Sequence, residues 1–184
     1  MLLYSLTSLF ISLILFPFVL RFLMRWHRIP STNFLYIQII KLTQPYLYRL
    51  DKIFTSTSYI DSASFIISIL LCIVAIKLKV ILFGSKLSIL KVLIGAGLMI
   101  LNKIVTIYFL AGLLNAFSSV NTISMNRPFL EVSSHFIKKQ LALISWILNK
   151  IKKDHRLNQY TFFIWLTIVF IMNLSIEHQL YSLV

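Results

Sequence analysis

Long uncharged stretches constrain this chain more than any other feature. Leu2 to Leu20 is interrupted only by Tyr4, by serine and threonine hydroxyls and by Pro17. Nineteen helical residues rise about 28 Å, close to the thickness of a bilayer's hydrocarbon core. A second run goes from Ser62 to Gly84, with Lys77 and Lys79 near its far end. A third lies within Leu87 to Phe117, best placed at Val92 to Phe117, with Lys103 at its middle, and a fourth runs from about Leu157 to Ile176. The fourteen apolar residues Ala63 to Ile76 are short for a span, so Lys77 and Lys79 have to snorkel to the interface. A fifth candidate, Leu141–Leu148, is too short and is flanked by Lys138, Lys139, Lys150, Lys152 and Lys153. The expectation is four spans in an all-α membrane protein.

Composition supports that reading. Of the 184 residues, 59% are hydrophobic and 12% charged. A soluble domain is about half apolar and about a quarter charged, so this chain has too little polar surface to wet a globule. A soluble enzyme is excluded on these grounds. Eighteen Lys and Arg stand against five Asp and Glu, a net charge of +13. In a soluble protein that excess would point to nucleic acid. In a membrane protein it is expected, because cytoplasmic loops collect Lys and Arg.

The placement of the charges decides between those readings. The segment from Arg21 to Asp61 holds six basic residues and Ser118 to Arg156 holds seven, whereas the hairpin between spans two and three holds Lys77, Lys79, Lys86 and Lys91. Thirteen against four puts both long loops in the cytoplasm and both termini outside. The positive charge is spread as insertion requires, and no nucleic-acid partner is expected. The first run has no Lys or Arg before it and Arg21, Arg25 and Arg28 after it, which suits an uncleaved span better than a signal peptide.

Neither long loop contains glycine, and both are patterned. In the first, Gln38, Lys41, Tyr48 and Lys52 oppose Leu35, Ile39, Ile40 and Leu47. Pro45 lacks an N–H, so the pattern predicts two short helices, Phe34–Gln44 and Pro45–Phe54. In the second, Ser134, Lys138, Ser145, Asn149 and Lys152 oppose Ile137, Leu141, Ile144, Leu148 and Ile151. A basic face beside a broad apolar one describes a helix lying among lipid headgroups. Packing of these faces on the spans accounts for the pattern equally well. Lys41, Lys52, Lys138, Lys139, Lys150, Lys152 and Lys153 are the residues expected to face anionic lipid or a partner protein.

Asp61 stands immediately before the second span, where a carboxylate caps the helix and complements its dipole. A shift of 97 residues lays the two halves over each other in the same order of span, basic loop and span. Pro45 then meets Ala142, Asp61 meets Asn158 and Lys41 meets Lys138. The halves read as two parallel two-span units, 1–84 and 85–184, within one membrane domain.

Ile40-Lys41-Leu42-Thr43-Gln44-Pro45, followed by Ile60-Asp61-Ser62-Ala63-Ser64 at the start of a span, resembles the signature of the YggT family. Gly95, Ala96, Gly97 and the mid-span Lys103 are also similar to that family's central span. On this resemblance the motif positions are Leu42, Thr43, Pro45, Arg49, Asp61 and Ser62. It implies a small multi-pass inner-membrane protein of one or two tandem units, in bacteria or plastids. It also implies a part in envelope processes such as osmotic and potassium tolerance, cell division or assembly of membrane complexes, with no agreed reaction. The stretch Arg49 to Phe54 departs from the family pattern in holding one arginine and no second proline, and the second unit lacks the signature proline and aspartate.

Catalytic patterns are absent. The acids Asp51, Asp61, Glu131, Asp154 and Glu177 form no pair at helical spacing inside a span. His27, His135, His155 and His178 are scattered, and the single Cys72 can form no intrachain disulfide. No enzyme activity, cofactor or metal is expected. Lys103 is the sharpest residue, because a cation at the centre of a span costs about 2.5–3.5 kcal/mol on insertion scales. It should face protein, water or a partner, with Asn102 and Asn115 as polar neighbours. Gly112 and Ala116 place small residues four apart for close helix packing. Two function classes follow: a membrane scaffold or assembly factor, or an ion or solute pathway acting as an oligomer.

Overall fold

The computed structural model of the chain describes residues 2–54, 60–83, 88–120, 127–151 and 161–183. Six α-helices follow in order: α1 Leu2–Trp26, α2 Phe34–Ile53, α3 Ser62–Phe83, α4 Ile89–Val120, α5 Arg127–Ile151 and α6 Thr161–Leu183. No strand occurs among the described residues. Two helices contain stretches long and apolar enough to span a membrane, Leu9–Trp26 of α1 and Ile89–Ala116 of α4. Ser62–Leu78 of α3 and Ile164–Ile176 of α6 are apolar but shorter. Lys77 in α3, and Glu177 and His178 in α6, close those two runs.

The amphipathic segments are helices as their periodicity requires, with one correction. The boundary expected at Pro45 does not exist, and α2 runs unbroken through it. Proline removes one donor and crowds the carbonyl four residues back, here that of Lys41. Both Lys41 and Pro45 are exposed, which puts the missing bond on the outer face of α2 and away from its buried residues Thr43 and Leu47. Thr43 reinforces the same turns, donating its hydroxyl to the Ile39 carbonyl at 2.7 Å.

The turn from α1 to α2 is tightly specified. The Ile29 N–H donates to the Met24 carbonyl and the Arg28 N–H to that of Arg25, both at 2.9 Å, with Arg28 at φ 55°. That is a Schellman ending with arginine in the left-handed position usually held by glycine. Asn33 then caps α2, its side-chain oxygen accepting from the N–H groups of Leu35 and Tyr36. The chain therefore reverses within a few residues and brings α2 back against α1.

The chain divides into two compact units. The first comprises Met1–Ile104 with Ile176–Val184, and the second Val105–Ser175, so the packing division falls within α4. In the first unit α1, α2 and α3 pack on one another in all three pairings. Phe18, Leu47 and Ala63 meet at the centre, one from α1, one from α2 and one from α3, with Leu50, Ile67 and Leu71 around them. Phe22 and Phe65 stack at 5.1 Å between centroids, further along the α1–α3 seam.

In the second unit Val132, Phe136 and Ile137 of α5 and Trp165 of α6 are buried. Tyr108 meets Phe136 edge to face at 5.9 Å, and the Trp165 Nε1–H donates to the Gln140 side-chain oxygen at 2.9 Å. At Gly112 the backbone of α4 lies close against Trp165 of α6. A Cβ there would strike Trp165 Cζ3, and would lie 2.9 Å from Cη2 and 3.1 Å from Leu166 Cδ1. The small residue expected to serve packing does so.

Candidate functional site

The polar centre of the first unit is built on Arg21, on the last turns of α1. Its side chain is only 5% exposed. Nε donates to Asp61 Oδ2 at 2.7 Å, and one terminal nitrogen donates to Thr43 Oγ1 and Gln44 Oε1, each at 3.0 Å. The other reaches Asp51 Oδ2 at 3.4 Å. Gln44 closes a loop by donating its amide to the same Asp51 oxygen at 3.2 Å. Arg25, one turn on from Arg21, lies 3.7 Å from Asp61 Oδ2. One guanidinium thus ties α1 to two turns of α2 and to the start of α3.

Helical spacing explains why these residues meet. Arg21 and Arg25 are four apart and share a face of α1, and Gln44 and Asp51 are seven apart and share a face of α2. Asp61 is fixed from its own side as the cap of α3, accepting from the Ser64 N–H at 3.0 Å while its carbonyl takes the Phe65 N–H. The capping role expected of Asp61 is present, and an ion pair with Arg21 adds to it.

Electrostatically the cluster balances. Two arginines face two carboxylates, the buried pair Arg21 and Asp61 flanked by the partly exposed Arg25 and Asp51, so the charge of the cluster sums to zero. Burial pushes the Asp61 carboxyl upward. The Ser64 N–H, the charge of Arg21 and its hydrogen bond act against that and prevail, holding Asp61 below the ordinary carboxylate value. Asp61 therefore stays ionised at neutral pH although it is 1% exposed.

Of the expected motif positions, the structure brings Thr43 and Asp61 together on Arg21. Ser62 begins α3 beside them, half-buried, while Leu42, Pro45 and Arg49 are exposed on α2. Arg21, Arg25, Gln44 and Asp51 were not singled out by the sequence. The first two were counted among loop charges, whereas Arg21 lies inside α1 and is buried. A signal was available: in a chain with five acids, two stand ten residues apart beside a span and need a cation.

Lys103 lies within the first unit, its ammonium donating to Ser12 Oγ of α1 at 2.7 Å. Asn102 beside it is half-buried. Asn115, expected as a neighbour, belongs to the second unit, more than three turns further along α4. Lys41, Lys52, Lys138 and Lys139 are exposed on α2 and α5, with Lys52 4.4 Å above the Tyr48 ring. Lys150 lies on α5, and Lys152 and Lys153 lie outside the described residues. Among the described residues no group of three His, Cys, Asp or Glu side chains comes together. No family model, curated protein or solved structure matches this chain.

Proposed function

We propose that the chain is a multi-pass membrane protein of the YggT type, with α1, α3, α4 and α6 as spans and α2 and α5 along the cytoplasmic interface, acting as a non-enzymatic scaffold or assembly factor. The observation that carries this reading is the closed, charge-balanced network on Arg21. Four of the five guanidinium N–H groups are committed to partners within the chain, and the motif residues Thr43 and Asp61 are among those partners. Residues arranged this way hold helices in place; they do not turn over a substrate.

Lipid surroundings strengthen the argument. Between spans there is no hydrophobic drive to associate, so packing and interhelical polar bonds determine the arrangement. The apolar side chains that a soluble protein would hide are exposed along α3, α4 and α6, including Leu70, Val74, Ile81, Leu93, Leu110, Phe170 and Ile171. Such surface suits acyl chains. The order of long apolar helix, amphipathic helix and apolar helix occurs twice, as a two-unit plan requires.

The 97-residue shift adds a physical detail. It sets Ser118, Gln140, Leu141, Leu148 and Asn158 opposite Arg21, Thr43, Gln44, Asp51 and Asp61. The cation and both carboxylates are absent together from the second unit, which suits a buried network whose members cannot be lost singly without stranding a charge.

A second reading, an ion or solute pathway formed by an oligomer, draws on Lys103 inside α4. Growth under osmotic stress and potassium limitation separates the two, using cells lacking the chain and complemented at matched protein level. Under the scaffold reading Lys103→Ala rescues as well as the native chain, and joint Gln replacement of Lys41, Lys52, Lys138 and Lys139 abolishes rescue. The opposite pattern rejects the scaffold in favour of the pathway.

A further inference from the structure

A groove of 520 Å³ lies between α3 and the beginning of α4, some four turns along α3 from the Arg21 network. Ile73, Val80 and Ile81 form its α3 wall and Ile89, Val92 and Leu93 its α4 wall. Among the described residues its one charged lining residue is Lys77. The volume is within the range of about 300–1,000 Å³ that small-molecule sites occupy. Ile81, Ile89 and Leu93 are more than half exposed, so the walls are open along their length.

Lys77 has no counter-charge among the described residues. Between Asp61 and Glu131 the sequence holds no acid at all, so α3, α4 and the hairpin joining them supply only positive charge. Lys77 forms no ion pair with any described residue. It is the sixteenth residue of α3, about 22 Å along the axis from Ser62, which brings it near the interface opposite Asp61. The groove also receives the amino end of α4 at Ile89, where the helix dipole is positive. Ser88 caps that end, its hydroxyl accepting from the Lys91 N–H at 3.4 Å.

We propose that this groove holds a phospholipid with an anionic headgroup, an acyl chain lying between α3 and α4 and the phosphate paired with Lys77. The site rests on the membrane reading above and gives it a specific lipid partner. Lysines in this hairpin run against the distribution that insertion favours. A lipid phosphate supplies the counter-charge that α3, α4 and the hairpin joining them do not.

The test uses the full chain in vesicles of three parts phosphatidylcholine to one part phosphatidylglycerol. Flotation first measures incorporation, and native mass spectrometry of the released protein then counts retained lipids. The native chain should retain phosphatidylglycerol over phosphatidylcholine by at least tenfold above their input ratio. Lys77→Gln should lower that preference to threefold or less, whereas Lys91→Gln, exposed on α4 but outside the groove lining, should keep it. Val92→Trp, which fills the groove and leaves Lys77 in place, should also reduce retention. Equal retention of both lipids, an unchanged preference in Lys77→Gln, or a second copy of the chain in place of lipid overturns the site while leaving the membrane reading intact. Failure to float with the vesicles overturns both.

Discussion

Asp61 performs two tasks that a substitution can separate. Asparagine caps a helix about as well as aspartate, so Asp61→Asn keeps the start of α3 and removes the charge that faces Arg21. Breaking one partner from a buried pair costs about 3–5 kcal/mol, and Arg25 and Asp51 soften that, so a loss of about 2–3 kcal/mol is expected in detergent unfolding. The same charge sets a pH dependence. The folded pKa lies below the ordinary 3.8, so Asp61's contribution is complete above that value and is lost as pH falls through the lower folded one. Stability of the native chain should hold from pH 7 to pH 5 and fall below pH 4, and the part of the fall due to Asp61 should be missing from Asp61→Asn. Thr43→Val tests the neighbouring contact; it keeps the shape and leaves one Arg21 N–H without its hydroxyl, for about 1–2 kcal/mol. Asp61 was legible in the sequence as the cap of α3, whereas Thr43 was marked only by the resemblance to the YggT signature. Arg21 was not legible, since its partners lie 22 to 40 residues away and only the folding of α2 and α3 against α1 brings them to it.

Periodicity marked every helix, because an apolar run or a two-faced pattern is a local property of the chain. The error at Pro45 came from weighing one residue's chemistry against its surroundings without knowing which way it faced. Proline ranks about 3 kcal/mol below alanine in a helix interior, yet α2 continues past it on an exposed face. Pro45→Ala should therefore stabilise α2, by about 1–3 kcal/mol read from unfolding midpoints, and a loss of stability would show that the proline holds α2 in a shape that alanine does not. Gly112 sets the opposite case. Alanine would gain about 1 kcal/mol of helix propensity. Its Cβ, however, meets the ring of Trp165, which is 2% exposed and anchored through Nε1 to Gln140, so the ring has little room to withdraw. Overpacking of this kind costs about 1–3 kcal/mol, and Gly112→Ala should come out destabilised. Adding Trp165→Phe should recover part of the loss by removing the ring atoms that clash. Full recovery without that second change would mean that α4 and α6 are not in such close contact.

Across the whole molecule, topology is the arrangement that the residue and element scales do not determine. The Arg21 network ties α1, α2 and α3 together whichever way the unit faces. Orientation rests instead on the basic residues, thirteen in the two long loops against four in the hairpin between α3 and α4. Burial of Arg21 withdraws one charge from the first loop, and twelve against four still favours the proposed placement of α2 and α5 on the cytoplasmic side. Cysteine labelling in intact cells checks this directly. The only native thiol, Cys72, is wholly buried in α3, and Cys72→Ala gives a thiol-free background. Single cysteines are then placed at the exposed positions Thr32, before α2, Ser134, on α5, Ser88, before α4, and Gln179, on α6. A membrane-impermeant maleimide added outside should label Ser88→Cys and Gln179→Cys and leave Thr32→Cys and Ser134→Cys unreacted until the cells are lysed. The reverse pattern inverts the molecule and places the Arg21 network outside. Labelling of Ser88→Cys and Gln179→Cys from opposite sides rejects four spans, because the segment between them then crosses the bilayer an odd number of times.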